Sequence, residues 1–211
     1  MERTIIEQEY LNIFNKRHES IGIASRSDVH AKGLWHETFH FWLLTEKSGI
    51  TYLHFQLRSN TKKDFPALLD ITAAGHLLAE ESPQDGVREL EEELGISIPF
   101  EKLTYAGVLP DVIKQANILD REFCHVYLYN SRTQEHDFHL QKEEVAGLYR
   151  APLHEVIGLF TGERETLTLH GFEIDENGMR HDQLKEADTS HFVPHESAYF
   201  DQLFHIIQQI L

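Results

Sequence analysis

The feature that most constrains the fold is an amphipathic helix pattern behind a glycine-led loop, in residues 75–96, GHLLAEESPQDGVRELEEELGI. Ser82 and Pro83 suit the N-cap and the first helical position, which predicts that the helix begins there. Apolar residues then recur at helical spacing at Val87, Leu90 and Leu94. The segment therefore predicts a helix with one apolar face against a core and one acidic face.

Three glutamates share the acidic face of this helix. Glu89, Glu92 and Glu93 stand at positions i, i+3 and i+4, so their carboxylates lie side by side. Like charges this close repel each other, which raises their pKa values unless a multivalent cation lies among them. Oxygen-only ligands suit Mg²⁺ or Mn²⁺. A solvated acidic helix face is the alternative that the spacing alone leaves open.

The sequence around these glutamates resembles a catalytic signature. Residues 88–96, RELEEELGI, resemble the second half of the signature of the Nudix hydrolases. The resemblance implies that the three helix glutamates bind metal ions and that Arg88 is a structural partner of an earlier glutamate. It also implies a substrate in which a diphosphate links a nucleoside, or another organic group, to a further group, with water attacking at phosphorus.

The first half of the signature is one residue short. The family has five residues between the glycine and the first glutamate, and seven more before the arginine. Gly75 and Glu81 keep the first interval but leave six residues before Arg88. Glu80 restores seven but puts Ala74 at the glycine position. Either glutamate can therefore partner the arginine. Because the defect lies in the loop, we expect altered loop geometry with catalysis retained.

A second resemblance extends over more of the chain. Residues 30–93, with later pieces at Glu122 and 141–145, are similar to the Nudix branch related to type 1 isopentenyl diphosphate isomerase. The matching pieces are FHFWLL, QLRSNTKKDFP, the Gly75-His76 pair and REFCHVYLY. In the isomerases, histidines and glutamates hold a metal ion, and an arginine and a lysine bind the diphosphate.

This second resemblance implies an imidazole-rich metal site and a phosphate-binding pair. The candidate metal ligands, with Glu93 near them, are His30, His36, His76 and Glu122. The candidate phosphate contacts are Arg58 and Lys62. Charges of this kind are usually solvated, but beside an acidic metal cluster they suit an anion held between cations.

One position distinguishes hydrolase from isomerase. In the isomerases a cysteine immediately before the Gly-His pair acts as an acid on the alkene, and here that position holds Ala74. An alanine methyl group cannot donate a proton, whereas the hydrolase glutamates Glu89 and Glu92 are present. The pattern favours a Mg²⁺-dependent hydrolase that cleaves a diphosphate linkage in a nucleoside diphosphate derivative or a related organic diphosphate. An isomerase-like enzyme and a noncatalytic nucleotide-binding module are the alternatives.

The expected mechanism places Mg²⁺, or alternatively Mn²⁺, on the helix glutamates, where it neutralises the diphosphate and acidifies a bound water. Glu89 and Glu92 are therefore predicted to be catalytic. A further carboxylate is expected to orient or deprotonate the water, and QKEEVAG offers Glu143 or Glu144, of which we favour Glu144. A solvent-facing acidic turn is the alternative for this pair.

The composition limits the binding partners and the cellular compartment that are expected for the protein. A formal net charge of -16 argues against binding to nucleic acid polymers or acidic membranes, because those surfaces repel an anionic protein. Cys124 is the only cysteine, so no intrachain disulfide can form and a reducing cytoplasm is expected. The start, MERTIIEQEY, lacks the apolar core of a signal peptide. The expected partner is a small-molecule diphosphate, and a homodimer through a sheet edge is a further expectation.

The remaining patterns predict an α/β fold, a Nudix-type α/β/α sandwich with a mixed central sheet. Predicted strands are EYLNIF, IGIAS, residues 34–44, residues 51–58, LTYAGVL and EFCHVYLY, with a hairpin in residues 166–190. Predicted helices are a brief one capped by Ser27, one in residues 151–160 and an amphipathic one in residues 199–210. We expect one domain over residues 1–211, with an N-terminal strand extension at about 1–30 and a C-terminal insertion plus helix at about 161–211.

Overall fold

The computed structural model describes residues 9–115, 118–131 and 137–211, which form a large mixed sheet with helices on both faces. The strands are β1 (Tyr10–Phe14), β2 (Ser20–Ser25), β3 (Trp35–Lys47), β4 (Ile50–Arg58), β5 (Leu69–Asp70), β6 (Ala73–His76), β7 (Thr104–Gln115), β8 (Ile118–Ser131), β9 (Val145–Pro152), β10 (Leu167–Ile174) and β11 (Arg180–Ala187). The helices are α1 (Arg26–Lys32), α2 (Arg88–Leu94), α3 (Leu153–Phe160) and α4 (Ser197–Ile210).

The sheet is organised around β3. Its main path has the order β11-β10-β9-β4-β3-β1-β2. One edge of β3 pairs in parallel with β8 over residues 35–45, and the other edge pairs antiparallel with β1, β6 and β4 in turn. This arrangement brings the side chains of β6 and β8 to the two sides of the N-terminal half of β3, where the histidines of that strand lie.

Both faces of β3 are buried, because helices cover both sides of the sheet. Phe39 and Phe41 pack in one cluster with Leu90 of α2. Trp42 and Leu44, on the opposite face, pack in a second cluster with apolar residues of α3 and α4. The fold is therefore the α/β/α sandwich with a mixed central sheet that the sequence predicts.

The N-terminal hairpin β1–β2 leads directly into α1. Ser25 is the N-cap of α1, since its hydroxyl accepts the backbone N–H of Asp28 at 3.2 Å. The predicted cap, Ser27, is wrong, because Ser27 is the second residue of the helix and its hydroxyl contacts that of Ser25 at 3.0 Å. Gly33 ends the helix in the left-handed conformation, with φ 58°. Residues 1–8 of the predicted N-terminal extension lie outside the described residues.

The C-terminal third extends the sheet and then covers it. β10 and β11 form the predicted hairpin, and β10 pairs antiparallel with β9, so the hairpin continues the main sheet. α4 buries Tyr199, Phe200 and Leu203 against the sheet. At 14 residues α4 is the longest helix in the described ranges, and none of these helices combines the length and apolarity that crossing a bilayer requires. The assignment of residues 1–211 to one domain stays a prediction.

Candidate active site

A cavity of about 930 Å³ opens between α1, α2 and the N-terminal half of β3. With the exception of His36, the residues predicted to be functional line this cavity. The lining residues among them are His30, Arg58, Lys62, His76, Glu89, Glu92, Glu93, Glu122 and Glu144. His36 is fully buried in the wall behind it. Residues that are far apart in the sequence are thus gathered at one place by α1, β3, β6, α2 and β8.

The helix that carries three of these carboxylates begins later than predicted. Residues Asp85–Val87 form a 3-10 turn, and the α-helix starts at Arg88. Ser82 does not cap it, because its backbone N–H and hydroxyl both donate to the Asp85 carboxylate, at 2.8 and 2.6 Å. The predicted start at Ser82 and Pro83 is therefore wrong. That pair belongs to the loop, and the glutamates follow from the first turn of the helix onward.

Glu89 and Glu93 are buried at the cavity wall. A Cβ atom on Gly75 would overlap the Glu89 carboxylate, so a glycine is needed for this side chain to lie where it does. Glu93 accepts hydrogen bonds from the backbone N–H of Ala74 at 3.1 Å and the side-chain amide of Gln56 at 3.2 Å. β6 therefore positions Glu93 through a backbone hydrogen bond and leaves room for Glu89 at Gly75.

Burial changes the acidity of these two carboxyl groups. Burial raises the pKa of Glu89 to about 7, with the negative charge of Glu92 adding to the effect and Arg88 opposing it. Burial also raises the pKa of Glu93 to about 8, and the charge of Glu89 adds to it. Glu92 lies at the rim, with 52% of its side chain exposed, and pairs with Arg88 at 3.0 Å. A cation among these groups would offset the cost of their ionisation.

Arg88 joins the loop to the helix and identifies the first glutamate of the signature. Its guanidinium donates to Glu81 through Nε at 2.7 Å and through Nη2 at 3.1 Å. It also donates to Glu89 at 2.6 Å and to the backbone carbonyl of His76 at 3.1 Å. Glu80 is exposed. The alternative left open by the sequence is therefore settled in favour of Glu81, and the loop absorbs the missing residue.

Three histidines from different elements meet on the other side of the cavity. His30 and His76 contact each other through their Nε2 atoms at 3.1 Å, and the rings of His36 and His76 stack with centroids 5.1 Å apart. Burial lowers the pKa of His76 and that of His30, so both imidazoles are neutral at physiological pH. Neutral imidazoles are the form that binds metal ions.

Two carboxylates of β8 complete this histidine cluster. The Nε2 atom of His36 lies 3.7 Å from a carboxylate oxygen of Asp120 and 3.7 Å from one of Glu122. Burial and the nearby charge of Glu122 raise the pKa of Asp120 to about 8. Asp120 was missed from the sequence, although its spacing of two residues from Glu122 on a strand places both on one face.

One ring nitrogen of His36 lacks a hydrogen bond to any of the described residues. Its Nδ1 donates to the carbonyl of Leu34 at 3.1 Å, which leaves Nε2 as the acceptor in the neutral ring. Nε2 is buried and has no hydrogen-bond partner within the part of the chain that the structure describes. Buried polar atoms are almost always satisfied, so this nitrogen indicates a ligand position.

The predicted phosphate contacts line the cavity but already have protein partners. Arg58 donates to Asp70 at 2.8 Å and to the backbone carbonyl of Asp64 at 2.9 Å. Lys62 forms an ion pair with Glu144. Glu144 lines the cavity, whereas its neighbour Glu143 is exposed and is not among the described lining residues.

A buried network beside the cavity was also missed. His195 contacts Asp111 at 2.6 Å and Asp70 at 2.9 Å. Burial lowers the pKa of His195, but the hydrogen bonds to the two aspartates outweigh it and raise the pKa to about 10. No local motif marks these residues, because they come from three distant segments. The network fixes Asp70, and through it the guanidinium of Arg58.

Comparisons with known proteins agree with the fold and with both resemblances. The model of the NUDIX domain matches residues 35–170. An uncharacterised Nudix hydrolase of Clostridium acetobutylicum is 36% identical over 195 residues, covering 92% of this chain and 95% of the relative. Isopentenyl-diphosphate delta-isomerase 2 of Photorhabdus laumondii is 28% identical over 124 residues, covering 57% of this chain and 66% of the isomerase.

A solved structure gives the same picture of the architecture. The crystal structure of a Deinococcus radiodurans protein superimposes with a TM-score of 0.54 at 19% identity, covering 73% of this chain and 90% of that one. This likeness shows a shared fold. The family match covers more than half of the chain, and the clostridial relative aligns over nearly the full length of both proteins. The chain therefore belongs to the Nudix family and is a Nudix hydrolase.

Proposed function

We propose that the protein is a Mg²⁺-dependent pyrophosphohydrolase, with Mn²⁺ as the alternative metal, that cleaves the diphosphate linkage of a nucleoside diphosphate derivative or a related organic diphosphate. The observation that carries the proposal is the packing of Glu89 on Gly75, beside the buried Glu93, in the wall of a large cavity. A cavity of about 930 Å³ is within the range that holds small-molecule ligands.

Glu89, Glu92 and Glu93 would hold the Mg²⁺. The fit is supported by the glycine at position 75, which leaves room for a carboxylate where any other side chain would overlap it. Oxygen-only donors of this kind match the preference of Mg²⁺. When bound, the cation supplies positive charge to the diphosphate oxygens and lowers the pKa of a water molecule.

His30, His36, His76, Asp120 and Glu122 would hold a second cation. The Nε2 atom of His36 supports this assignment, because it is buried without a hydrogen-bond partner among the described residues while Nδ1 is engaged by the Leu34 carbonyl. A set of imidazoles and carboxylates suits Mn²⁺ or Zn²⁺ better than Mg²⁺. The cavity would then offer two groups of cation ligands, and the bound cations would offset the negative charge of a diphosphate.

Lys62 and Glu144 would exchange partners when substrate binds. In the free protein Lys62 donates to the Glu144 carboxylate. A phosphate oxygen would compete with Glu144 for the ammonium group of Lys62, because phosphate forms strong charge-assisted hydrogen bonds. Glu144 would then be free to accept a proton from water. Arg58 would bind the phosphate with the N–H groups that Asp70 and the backbone carbonyls of Asp64 and Phe65 leave free.

Isomerisation is the second candidate, favoured by the meeting of the histidines and Glu122 that the isomerase resemblance implies. It would need an acid near the alkene, and Ala74 offers none. Cys124 does not replace it, because this thiol is fully buried and is not among the described residues that line the cavity. Interconversion of the two five-carbon isoprenoid diphosphates by the purified protein would establish this candidate.

The cytoplasm is the compartment we propose for the enzyme. Cys124 is a free thiol in the structure, and a free thiol suits a reducing compartment. The proposed partner is a small-molecule diphosphate. A homodimer through a sheet edge stays a prediction.

A screen of organic diphosphates with Mg²⁺ tests the hydrolase proposal, with an added phosphatase that releases inorganic phosphate from the two phosphomonoester products as the readout. Glu92→Gln should lower kcat by about 100-fold or more, since it removes a metal ligand. Glu91→Gln is the matched control, because Glu91 is exposed on the same helix and is not among the described lining residues. Equal kcat values for the two variants would refute the role of Glu92. Tight nucleotide binding without Mg²⁺-dependent cleavage would favour a noncatalytic module instead.

A further inference from the structure

A second group of histidines lies on the opposite face of the same strands. His18, in the turn between β1 and β2, donates through Nε2 to Glu37 of β3 at 2.8 Å. His125 of β8 donates through Nε2 to the same Glu37 oxygen, Oε1, at 3.0 Å. Neighbouring residues of a strand point to opposite faces, so Glu37 points away from the cavity-side neighbour His36. None of these three side chains belongs to the predicted active site or takes part in the proposed mechanism.

The backbone at His18 is held in a conformation that favours glycine. Its φ is 61°, and its backbone N–H donates to the Asn15 carbonyl at 3.0 Å within the hairpin turn. The β1–β2 pairing shifts register beside this turn, between Ile13 and Phe14. Glycine or asparagine usually fills such a position. The hairpin turn thus fixes the backbone of His18, and its side chain is directed to a defined polar partner.

The ring of His18 is also fixed in place. It stacks on Phe123 with centroids 4.0 Å apart and an interplanar angle of 27°. This stacking aims Nε2 at the Glu37 carboxylate. The ligand atoms of His18, Glu37 and His125 all lie within 4.8 Å of one another. Two imidazoles and a carboxylate thus converge without any rearrangement of the backbone.

We propose that His18, Glu37 and His125 form a binding site for a divalent transition metal ion of the zinc class. Two histidines with one carboxylate are an established ligand set for Zn²⁺ with an open fourth position. In a tetrahedral site with bonds of about 2.0 Å, neighbouring ligand atoms are about 3.3 Å apart. The observed 2.8 and 3.0 Å need only a few tenths of an ångström of expansion.

The electrostatic state of the site suits a cation. The Glu37 carboxylate accepts hydrogen bonds from both imidazoles and supplies the negative charge that a divalent cation requires. The side chains of His18 and Glu37 are 30% and 20% exposed, which gives an ion and a water molecule access. On binding, each Nε2 proton moves to Nδ1 of its ring or to solvent, and the nitrogen lone pairs turn to the metal.

A metal ion here would clamp the N-terminal hairpin to the central sheet. The hairpin continues through β2 into α1, which carries His30 to the cavity. It also contacts the loop of the signature, since Asn12 donates to the carbonyl of Ala79 at 3.0 Å. Occupancy of the site would therefore steady elements of the cavity wall, although the proposal does not depend on the reaction that takes place there.

Co²⁺ titration monitored by visible absorption, with excess Mg²⁺ present, tests the proposal. The starting protein carries His36→Gln and His76→Gln, which remove imidazoles from the cavity cluster. We expect this starting protein to bind one Co²⁺ with a spectrum typical of nitrogen and oxygen ligands. We expect Zn²⁺ to displace the bound Co²⁺. Adding His18→Asn, which tolerates the left-handed backbone, should weaken Co²⁺ binding at least tenfold. His154→Gln, on the exposed side of α3, is the matched control and should change nothing.

Two results would overturn this proposal. One is that the starting protein binds no Co²⁺, and the other is that His18→Asn leaves its affinity unchanged. His125→Gln provides a second variant of the same site, and circular dichroism shows whether each variant is folded. Because these readouts involve no substrate, they are separate from the tests of hydrolysis, and either proposal can fail while the other holds.

Discussion

Replacing Gly75 with alanine perturbs Glu89 of α2 from the neighbouring strand β6. Gly75 does not have a positive φ, so the backbone of β6 accepts alanine. The new methyl group would overlap the Glu89 carboxylate, and Cβ contacts under 3.0 Å are essentially never seen, so the carboxylate must move. A displacement of about 1 Å at a catalytic group can cost on the order of 100-fold in rate, and we expect kcat to fall by about this factor. The melting temperature should change little, because the end of a flexible side chain gives way.

The assay combines kcat on the best substrate of the screen with Mn²⁺ affinity measured by electron paramagnetic resonance. Gly158→Ala is the control, since its Cβ would lie 3.5 Å from the side chain of Arg164, an ordinary contact. Inside helix α3 this change should stabilise the protein by about 0.5–1 kcal/mol and leave kcat unchanged. Wild-type kcat and Mn²⁺ affinity in Gly75→Ala would refute the idea that the glycine exists to seat Glu89.

Three further outcomes follow from particular contacts. Glu81→Gln should lower the free energy of unfolding in urea by about 1–3 kcal/mol, whereas Glu80→Gln should not. Of these two glutamates, only Glu81 accepts hydrogen bonds from the Arg88 guanidinium. Glu144→Gln should lower kcat by about 100-fold or more while Glu143→Gln retains it, and equal effects would remove Glu144 as the base. The pKa of His195 is about 10 in the folded protein and 6.5 ordinarily, so protonation of His195 favours the folded state. This contribution to stability is fully present below pH 6.5 and is lost as the pH rises through 10. Urea unfolding should therefore show a loss of at least about 1 kcal/mol over this range that His195→Gln lacks.

Patterns within single elements predicted the fold and many of the residues that line the cavity. The helical spacing of Glu89, Glu92 and Glu93 placed them on one side of α2, and all three line the cavity. The amphipathic pattern in residues 199–210 likewise predicted a helix, and α4 spans Ser197–Ile210. These predictions succeeded because they depend on the periodicity of a single element. The catalytic and metal-binding roles of the residues stay predictions.

Other features depend on contacts between distant segments, and the sequence did not reveal them. Ser82 satisfies every local rule for a helix cap, yet the Asp85 carboxylate takes its hydroxyl and closes a turn instead. His195 and Asp111 meet only because α4 packs back onto the sheet. The choice between Glu80 and Glu81 likewise needed the position of the arginine. Periodicity describes one element at a time, whereas these contacts require the tertiary structure.

The charge of the cavity connects substrate binding to metal binding. Its described wall carries ten carboxylates and five lysine or arginine side chains, and Arg88, Arg58 and Lys62 among them are already paired with acids. A diphosphate brings further negative charge into this wall, so without cations its binding would be opposed by like charge. Binding of the diphosphate and binding of the cations must therefore favour each other, and by linkage each must raise the affinity of the other by the same factor. The net charge of the whole chain favours the same coupling, because a protein of formal charge -16 attracts cations, which the proposed diphosphate substrate would require.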